Sequence, residues 1–314
     1  MKNHYLGRGL MAALLGLSLS LANVPAATAA GRGKPAAVKK HKHHKLSSKK
    51  AAHKAAAVDD MENLKLASSA AMVLDQTTGA VLFEKNAGAV LPIASITKLM
   101  TAMVALDAQP DLHETMVIDD ADVDTLKGTH SRLKVGVQLP REDMLRLALM
   151  SSENRAASSL SRYYHGGRPA FIAAMNRKAQ ALGLQDTYFA DPTGLTAQNV
   201  SSARDLVKMV SAAQQYPLIR QFTTTSEYEV ALGGRSQAFH NTNSLVRSSS
   251  WEIGLSKTGF INEAGRCLVM QAWLNNKPTI IVLLDSLGKM TRLGDANRIK
   301  HWVENGAARR LATG

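Results

Sequence analysis

The chain has 314 residues, with 38 Lys or Arg against 25 Asp or Glu and a formal net charge of +13. That length can bury a full core in one large domain or two lobes. The charge is unevenly placed: residues 1–57 hold eleven basic residues and no acid, and the remainder is nearly balanced at 27 to 25. A basic tail on a nearly neutral domain argues against a nucleic-acid-binding fold, and a single cysteine excludes an internal disulfide.

Residues 1–30 read as a secretory leader. Lys2 and Arg8 open it, residues 10–21 are apolar, and Ala27-Thr28-Ala29 fits a small-residue cleavage site. The apolar run is shorter than the ~20 residues that a spanning helix needs. Export to the periplasm as a soluble or loosely membrane- or wall-associated protein is expected. The basic segment 31–57 is too polar to fold alone. In an exported protein its partners are anionic wall polymers or lipid head groups rather than nucleic acid. His41, His43 and His44 belong to that solvated tail, and no metal site is expected. Residues 58–314 are then one domain of two lobes.

Within that domain, 69–74 and 80–84 read as two strands around Gln76-Thr77-Thr78-Gly79. A helix opens near Ser95, with Leu99, Met100, Met103 and Val104 at helical spacing and no Gly or Pro before Pro110. Asp119, Asp120, Asp122 and Asp124 lack the spacing of a calcium loop and read as a solvated turn. Helices are expected over 141–150, 156–163, 169–182 and 203–214, with Pro169 at a first helical position and Gly183 as a stop. Strands follow at 228–232, 253–258, 267–273 and 279–284, and a last helix at about 294–310. Cys267 lies in one of these strands and reads as a small buried apolar residue, not a nucleophile. Strands at both ends with helices between imply an α+β core sheet and a helical lobe, with a cleft between them. No phosphate loop, Gly-x-Gly-x-x-Gly or internal repeat is present, and no cofactor is expected.

Three short motifs stand in order: Ser95-Ile-Thr-Lys98, Ser152-Glu-Asn154 and Lys257-Thr-Gly259. Ser-x-x-Lys recurs at Ser47, Ser131 and Ser286, but only Ser95 opens a helical pattern, which puts serine and lysine on one face. Ser-x-Asn and Lys-Thr-Gly each occur once. A serine hydroxyl needs a base to become a nucleophile. No histidine is placed for this by a local pattern, so Lys98 must serve, and only when neutral. A free lysine titrates near ~10.4, so burial or a neighbouring cation such as Lys257 has to lower it. Ser152 can relay the proton to a leaving amine, and Asn154 can hold Lys98 and the substrate backbone. Lys257 and Thr258 can bind a carboxylate, and Gly259 lets substrate approach the strand. Backbone N–H groups of Ser95 and Phe260 can hold an oxyanion.

The ordered trio is the signature of serine β-lactamases and penicillin-binding proteins, enzymes that transfer an acyl group through a serine ester. Over roughly 68–302 the chain resembles the low-molecular-mass penicillin-binding proteins, the D-Ala-D-Ala peptidases. Phe189-Ala-Asp-Pro-Thr-Gly-Leu195, Ser202-Ala-Arg-Asp205 and Asn241-Thr-Asn243 look like that family's connecting motifs. The stretch from Leu145 to Ala157 is similar to the D-alanyl-D-alanine endopeptidase branch, the penicillin-binding protein 7 type. The resemblance implies a penicilloyl-serine-transferase (β-lactamase-like) fold: a five-stranded antiparallel sheet flanked by helices, plus an all-helical lobe. It implies Ser95 as the acylated serine, Lys98 as proton acceptor and Ser152 as the third catalytic residue. Asn154, Lys257, Thr258, Phe260 and Arg292 are then substrate-binding, with Arg292 matching the family's carboxylate-binding arginine. The implied reaction is cleavage of D-alanyl-diaminopimelate cross-links in peptidoglycan, with β-lactams as covalent inhibitors. Glu153 stands where carboxypeptidase relatives often have Gly. Those relatives also continue into a β-rich domain and an amphipathic anchor, for which the 55 residues after Gly259 leave no room. D-Ala-D-Ala carboxypeptidase is the nearest alternative. A β-lactamase needs a water-activating carboxylate for which no motif lies between Ser152 and Lys257. A non-catalytic wall-binding protein is at odds with an intact Ser95, Lys98 and Lys257.

Overall fold

The computed structural model describes residues 64–312. The expected leader and the basic segment, with His41, His43 and His44, lie outside the described residues. Strands β1 (Ser68–Asp75) and β2 (Val81–Lys85) form the anticipated hairpin. A short β3 (Leu91–Pro92) leads into a single 3-10 turn (Ala94–Thr97), which runs on into α1 (Lys98–Asp107). Strands β4 (Thr115–Val117) and β5 (Gln138–Pro140) pair with each other across a long loop. Then come α2 (Arg141–Met150), α3 (Asn154–Arg162) and α4 (Gly167–Ala181). β6 (Val200–Ser201) pairs with β3, and α5 (Ala203–Ala213) and α6 (Pro217–Thr224) follow. Hairpin β7 (Glu227–Leu232) and β8 (Arg235–His240) precedes the three long strands β9 (Ile253–Ile261), β10 (Gly265–Leu274) and β11 (Lys277–Ser286). Helix α7 (Thr291–Ala312) comes last.

The main sheet has the order β2-β1-β11-β10-β9, with every pair antiparallel. This is the expected five-stranded architecture with a helical lobe. Its central strands are apolar on both faces because helices cover both. In β11, Ile280, Val282 and Leu284 join the core shared with the helical lobe, and Ile281 and Leu283 join the smaller core under α7. In β10, Cys267 and Val269 face the first core, and Leu268, Met270, Ala272 and Leu274 face the second. The strand period of two sorts one sequence into two cores. Among the described residues, no helix is long and apolar enough to cross a membrane.

Four expectations are corrected. The strand near 228–232 lies outside the main sheet, paired instead with β8, whose Arg-Ser-Gln-Ala-Phe-His sequence buries only Phe239 fully and has no apolar alternation. Helix α6 is an addition to the expected elements, because its apolar signal is just Ile219 and Phe222 behind Pro217. Helix α4 begins two residues before Pro169, at Gly167, which takes a positive φ. The aspartate cluster is not simply solvated: Asp122 is buried against Arg162 (2.8 Å) and Ser158 (2.9 Å), and Asp124 accepts four hydrogen bonds from its own loop.

One carboxylate ties the last helix to the first strand. Asp295, fully buried in α7, accepts from Ala67 N (3.0 Å), Ser68 N (2.8 Å) and Ser68 Oγ (2.6 Å), and pairs with Arg298. Burial alone would raise its pKa, but the bonds from Ser68, Ala67 and Arg298 outweigh burial and hold it below the ordinary carboxylate value. Its contribution is therefore in place above the unfolded carboxylate pKa and is lost as pH falls through the depressed one. Asp295→Ala strands three donors, so it should cost about 3 kcal/mol. A thermal melt at neutral pH should show a Tm lower by roughly 6–12 °C, and the deficit should shrink in acid. An unchanged Tm would refute this role.

Candidate active site

Ser95 sits in the 3-10 turn that starts the α1 rod, and the turn is wedged between two glycines. Its neighbour Ala94 is buried with a left-handed φ of +47°, a conformation that costs an alanine about 1–2 kcal/mol. A Cβ on Gly194 would lie 2.0 Å from the Ala94 carbonyl oxygen. A Cβ on Gly259 would lie 2.8 Å from the Ile93 oxygen and 3.2 Å from the Ser95 nitrogen. Gly259 therefore serves the approach of the Ser95 turn to β9, a closer constraint than the substrate approach read from the sequence. The loop holding Gly194 is anchored in turn: Asn199 donates to Thr97 Oγ1 (3.0 Å) and the Asp191 carbonyl (2.9 Å), and Thr101 donates to the Pro192 carbonyl (2.6 Å).

Lys98 Nζ is fully buried one turn after Ser95. It lies 2.8 Å from Ser95 Oγ, 2.8 Å from Asn154 Oδ1 and 2.7 Å from the Thr193 carbonyl oxygen. The two sp² oxygens can only accept. A neutral amine has two N–H donors and one lone pair, so it satisfies both oxygens and turns the lone pair to the Ser95 hydroxyl. Burial brings the pKa of Lys98 down to about 7, against the opposing pull of the Asp191 and Glu153 carboxylates. Of the two causes that the sequence offered, burial is the one at work.

Lys257, also buried, projects from β9 and donates to Ser152 Oγ (3.0 Å) and the Thr258 carbonyl (2.9 Å). Its pKa is pushed well below that of a free lysine by burial, then by the Lys98 and Arg292 cations. Among the described residues it has no salt-bridge partner, so an arriving carboxylate would supply its missing counter-charge. Ser152 bridges α2 and α3 with a left-handed φ of +62°, a strained conformation that presents its hydroxyl to Lys257. Thr258 Oγ1 donates to Thr242 Oγ1 (2.6 Å), and Thr242 N to the Met150 carbonyl (3.0 Å), linking β9 to the end of α2.

Ser95, Ser152, Asn154, Thr258, Phe260 and Arg292 line one cleft of about 250 Å³, with Lys98 and Lys257 beneath it. Arg292 is no surface ion pair. It is buried at the start of α7, donating through one terminal nitrogen to the Gly259 (2.9 Å) and Cys267 (3.2 Å) carbonyls, while its Nε has no partner among the described residues. The Phe260 ring is half exposed at the rim, with the Arg266 guanidinium 4.4 Å from its centroid. Cys267 of β10 faces the core, its thiol pushed up to about 11 by burial, and is inert. Glu153 faces away from the cleft and accepts from Ser131 Oγ (2.6 Å) and Arg132 Nε (3.3 Å). Sequence reasoning did not find Thr129, Thr193, Leu195 or Thr242. All four come from irregular loops, and only the Thr-Gly-Leu and Asn-Thr-Asn motifs hinted at three of them.

A serine hydroxyl facing the lone pair of a buried amine, with a second serine and amine opposite, suits acyl transfer through a serine ester. Known proteins agree. The D-alanyl-D-alanine carboxypeptidase family, peptidase S11, matches residues 53–288. A D-alanyl-D-alanine endopeptidase from Pseudomonas aeruginosa is 51% identical over 243 residues, which are 77% of this chain and 78% of that protein. The Escherichia coli D-alanyl-D-alanine endopeptidase is 48% identical over 255 residues, 81% of this chain and 82% of that one. The crystal structure of the Streptomyces K15 DD-transpeptidase superposes with a TM-score of 0.71 at 28% identity, covering 76% of this chain and 97% of that one. The chain belongs to the peptidase S11 family. It is a serine-type D-Ala-D-Ala peptidase with the penicilloyl-serine-transferase fold.

If Lys98 takes the Ser95 proton, acylation by a fluorescent penicillin should rise with pH as Lys98 loses its own proton near 7. Lys98→Arg cannot deprotonate and should lower the acylation rate by about 10²–10⁴-fold, the range of a positioned general base. Lys257→Arg keeps its donors and charge and should lose less. Equal losses in stopped-flow acylation would contradict this division of roles.

Proposed function

We propose that the protein is an exported DD-endopeptidase that cuts D-alanyl-diaminopimelate cross-links in peptidoglycan and is inhibited by β-lactams acylating Ser95. The observation that carries the reading is that both relatives near half identity, each matched over more than three quarters of its length, are D-alanyl-D-alanine endopeptidases. In this mechanism Ser95 Oγ attacks the D-alanyl carbonyl and its proton passes to Lys98. Backbone N–H groups of Ser95 and Phe260 take up the oxyanion, and Asn154 orients the acyl chain. The C–N bond then breaks, the leaving amine takes its proton by way of Ser152, and an acyl ester remains on Ser95. Water attacks that ester, Lys98 accepts its proton and passes it to Ser95 Oγ as the ester bond breaks, and the D-alanyl carboxylate is freed.

The leaving group supports this reading without separating it from a carboxypeptidase. The amine carbon of D-alanine and the D-centre of diaminopimelate both carry a carboxylate. Lys257, Thr258 and Arg292 can bind it in either case, and the carboxylate restores the charge that Lys257 lacks. Discrimination must come from the side group on that carbon, a methyl or a peptide-bearing arm. A second cavity of about 370 Å³ meets the cleft at Ser152 and Asn154, lined also by His130, Ser131, Arg132 and Glu153. It has room and charge for such an arm.

Purified enzyme should convert cross-linked muropeptide dimers to monomers faster than it releases D-alanine from pentapeptides. Chromatography of both digests decides it. Release of D-alanine with dimers intact would replace this reading with a carboxypeptidase. The basic segment 31–57 is proposed to hold the exported enzyme against anionic wall or membrane surfaces. Deleting it should weaken sacculus retention at low salt and leave penicillin acylation unchanged, since such contacts are screened by salt.

A further inference from the structure

The amide of Asn154 has nearly the same shape in its two orientations, yet only one lets Lys98 act as a base. With Oδ1 toward Lys98, the amine must donate there and to Thr193, so its lone pair falls on Ser95. With Nδ2 toward Lys98, an uncharged amine would accept from the amide, and its lone pair would be lost to Ser95. Once Lys98 is neutral, nothing at its own end makes this choice. The charges around Lys98 are Lys257, Asp191 and Glu153. Glu153 is committed to Ser131 and Arg132, and Asp191 to Thr193, Gly194 and Thr196 of its own loop.

The choice is made at the other end of the amide. Asn154 Nδ2 lies 3.0 Å from Thr129 Oγ1, and Thr129 Oγ1 lies 2.7 Å from Asp124 Oδ2. The same Oδ2 accepts from Thr129 N (2.9 Å), and Oδ1 accepts from Leu126 N (2.8 Å) and Lys127 N (3.0 Å). Burial alone would raise the Asp124 pKa, but these four bonds hold it below the ordinary carboxylate value, so it is ionised and can only accept. The Thr129 hydroxyl proton is thereby committed to Asp124. Its oxygen can then only accept from Asn154, which fixes the amide with Oδ1 toward Lys98.

We infer that Asp124, acting through Thr129, sets the direction of the hydrogen-bond chain Asp124–Thr129–Asn154–Lys98–Ser95 and so keeps the Lys98 lone pair on the nucleophile. Asp124 and Thr129 are positioning residues: they touch neither Ser95 nor Lys98. The inference rests on the reading of Lys98 as the base. It gives the loop at 124–129, which sequence reads as a solvated turn, a part in the chemistry.

The test measures penicillin acylation from pH 5 to 9 in Asp124→Asn, Thr129→Val and Thr129→Ser. Asp124→Asn removes the obligate acceptor, and Thr129→Val removes the relay hydroxyl while keeping the bonds of Asp124 to the loop backbone. Both should lower the plateau rate by roughly 10–100-fold, the scale of lost outer-shell orientation at metal sites. Both should also move the acid limb to lower pH, because an amide N–H turned to the Lys98 nitrogen disfavours its charged form. Thr129→Ser keeps the hydroxyl and should recover most of the rate and the position of the limb. If Asp124→Asn fails to fold by circular dichroism, the Thr129 pair still decides. An unmoved acid limb in Thr129→Val, or equal losses in Val and Ser, would overturn the inference. Either result could stand alongside a Lys98→Arg variant that does not acylate, so failure here is distinct from failure of the base assignment.

Discussion

Everything in this molecule converges on one buried amine. Lys98 has no solvent to hold its charge, and three oxygens surround it. Two of those oxygens cannot donate, so the neutral amine has one direction left for its lone pair, toward Ser95. Burial makes the neutral form accessible near pH 7, and the two acceptors determine where its basicity points. A lysine on the surface would have neither property.

The rest of the fold holds that geometry still. The Ser95 turn is strained at Ala94 and packed between backbone segments that only Gly194 and Gly259 allow so close. Ser152 is strained in the same way on the opposite wall. Such strain persists only where the surroundings over-determine it. Here the surroundings are the sheet, with an apolar core on each face, and a helical lobe tied to it by Thr242 and Thr258. The rigid sheet carries Lys257 and Thr258, the start of α3 carries Asn154, and a loop of the helical lobe carries Thr193. The cleft lies where they meet.

Much of this is legible in the sequence, and the gaps have physical causes. Helix α1 announces itself through Leu99, Met100, Met103 and Val104, and β10 and β11 through runs buried on both faces. The three motifs point to one site because each keeps its residues within one helix start, one helix junction or one strand, where a short spacing fixes a geometry. By contrast, the acceptor at Thr193 is 95 residues from Lys98, and Thr129 is 25 residues from Asn154. Both are in loops without periodicity, and no local pattern encodes such pairings. β8 escapes a sequence reading because an exposed hairpin strand needs little apolar alternation. Asp122 and Asp124 mislead it because composition does not tell a solvated carboxylate from one held by distant side chains or by its own loop.

The chemistry stands on a single ionisation. Observing the Lys98 ε-nitrogen by heteronuclear NMR of the ligand-free enzyme, across a pH titration, measures it without substrate or rate. The expected midpoint is near 7, with the neutral amine predominating above it. A Lys98 ammonium that keeps its proton beyond pH 10, like a free lysine, would contradict the role of Lys98 as the base.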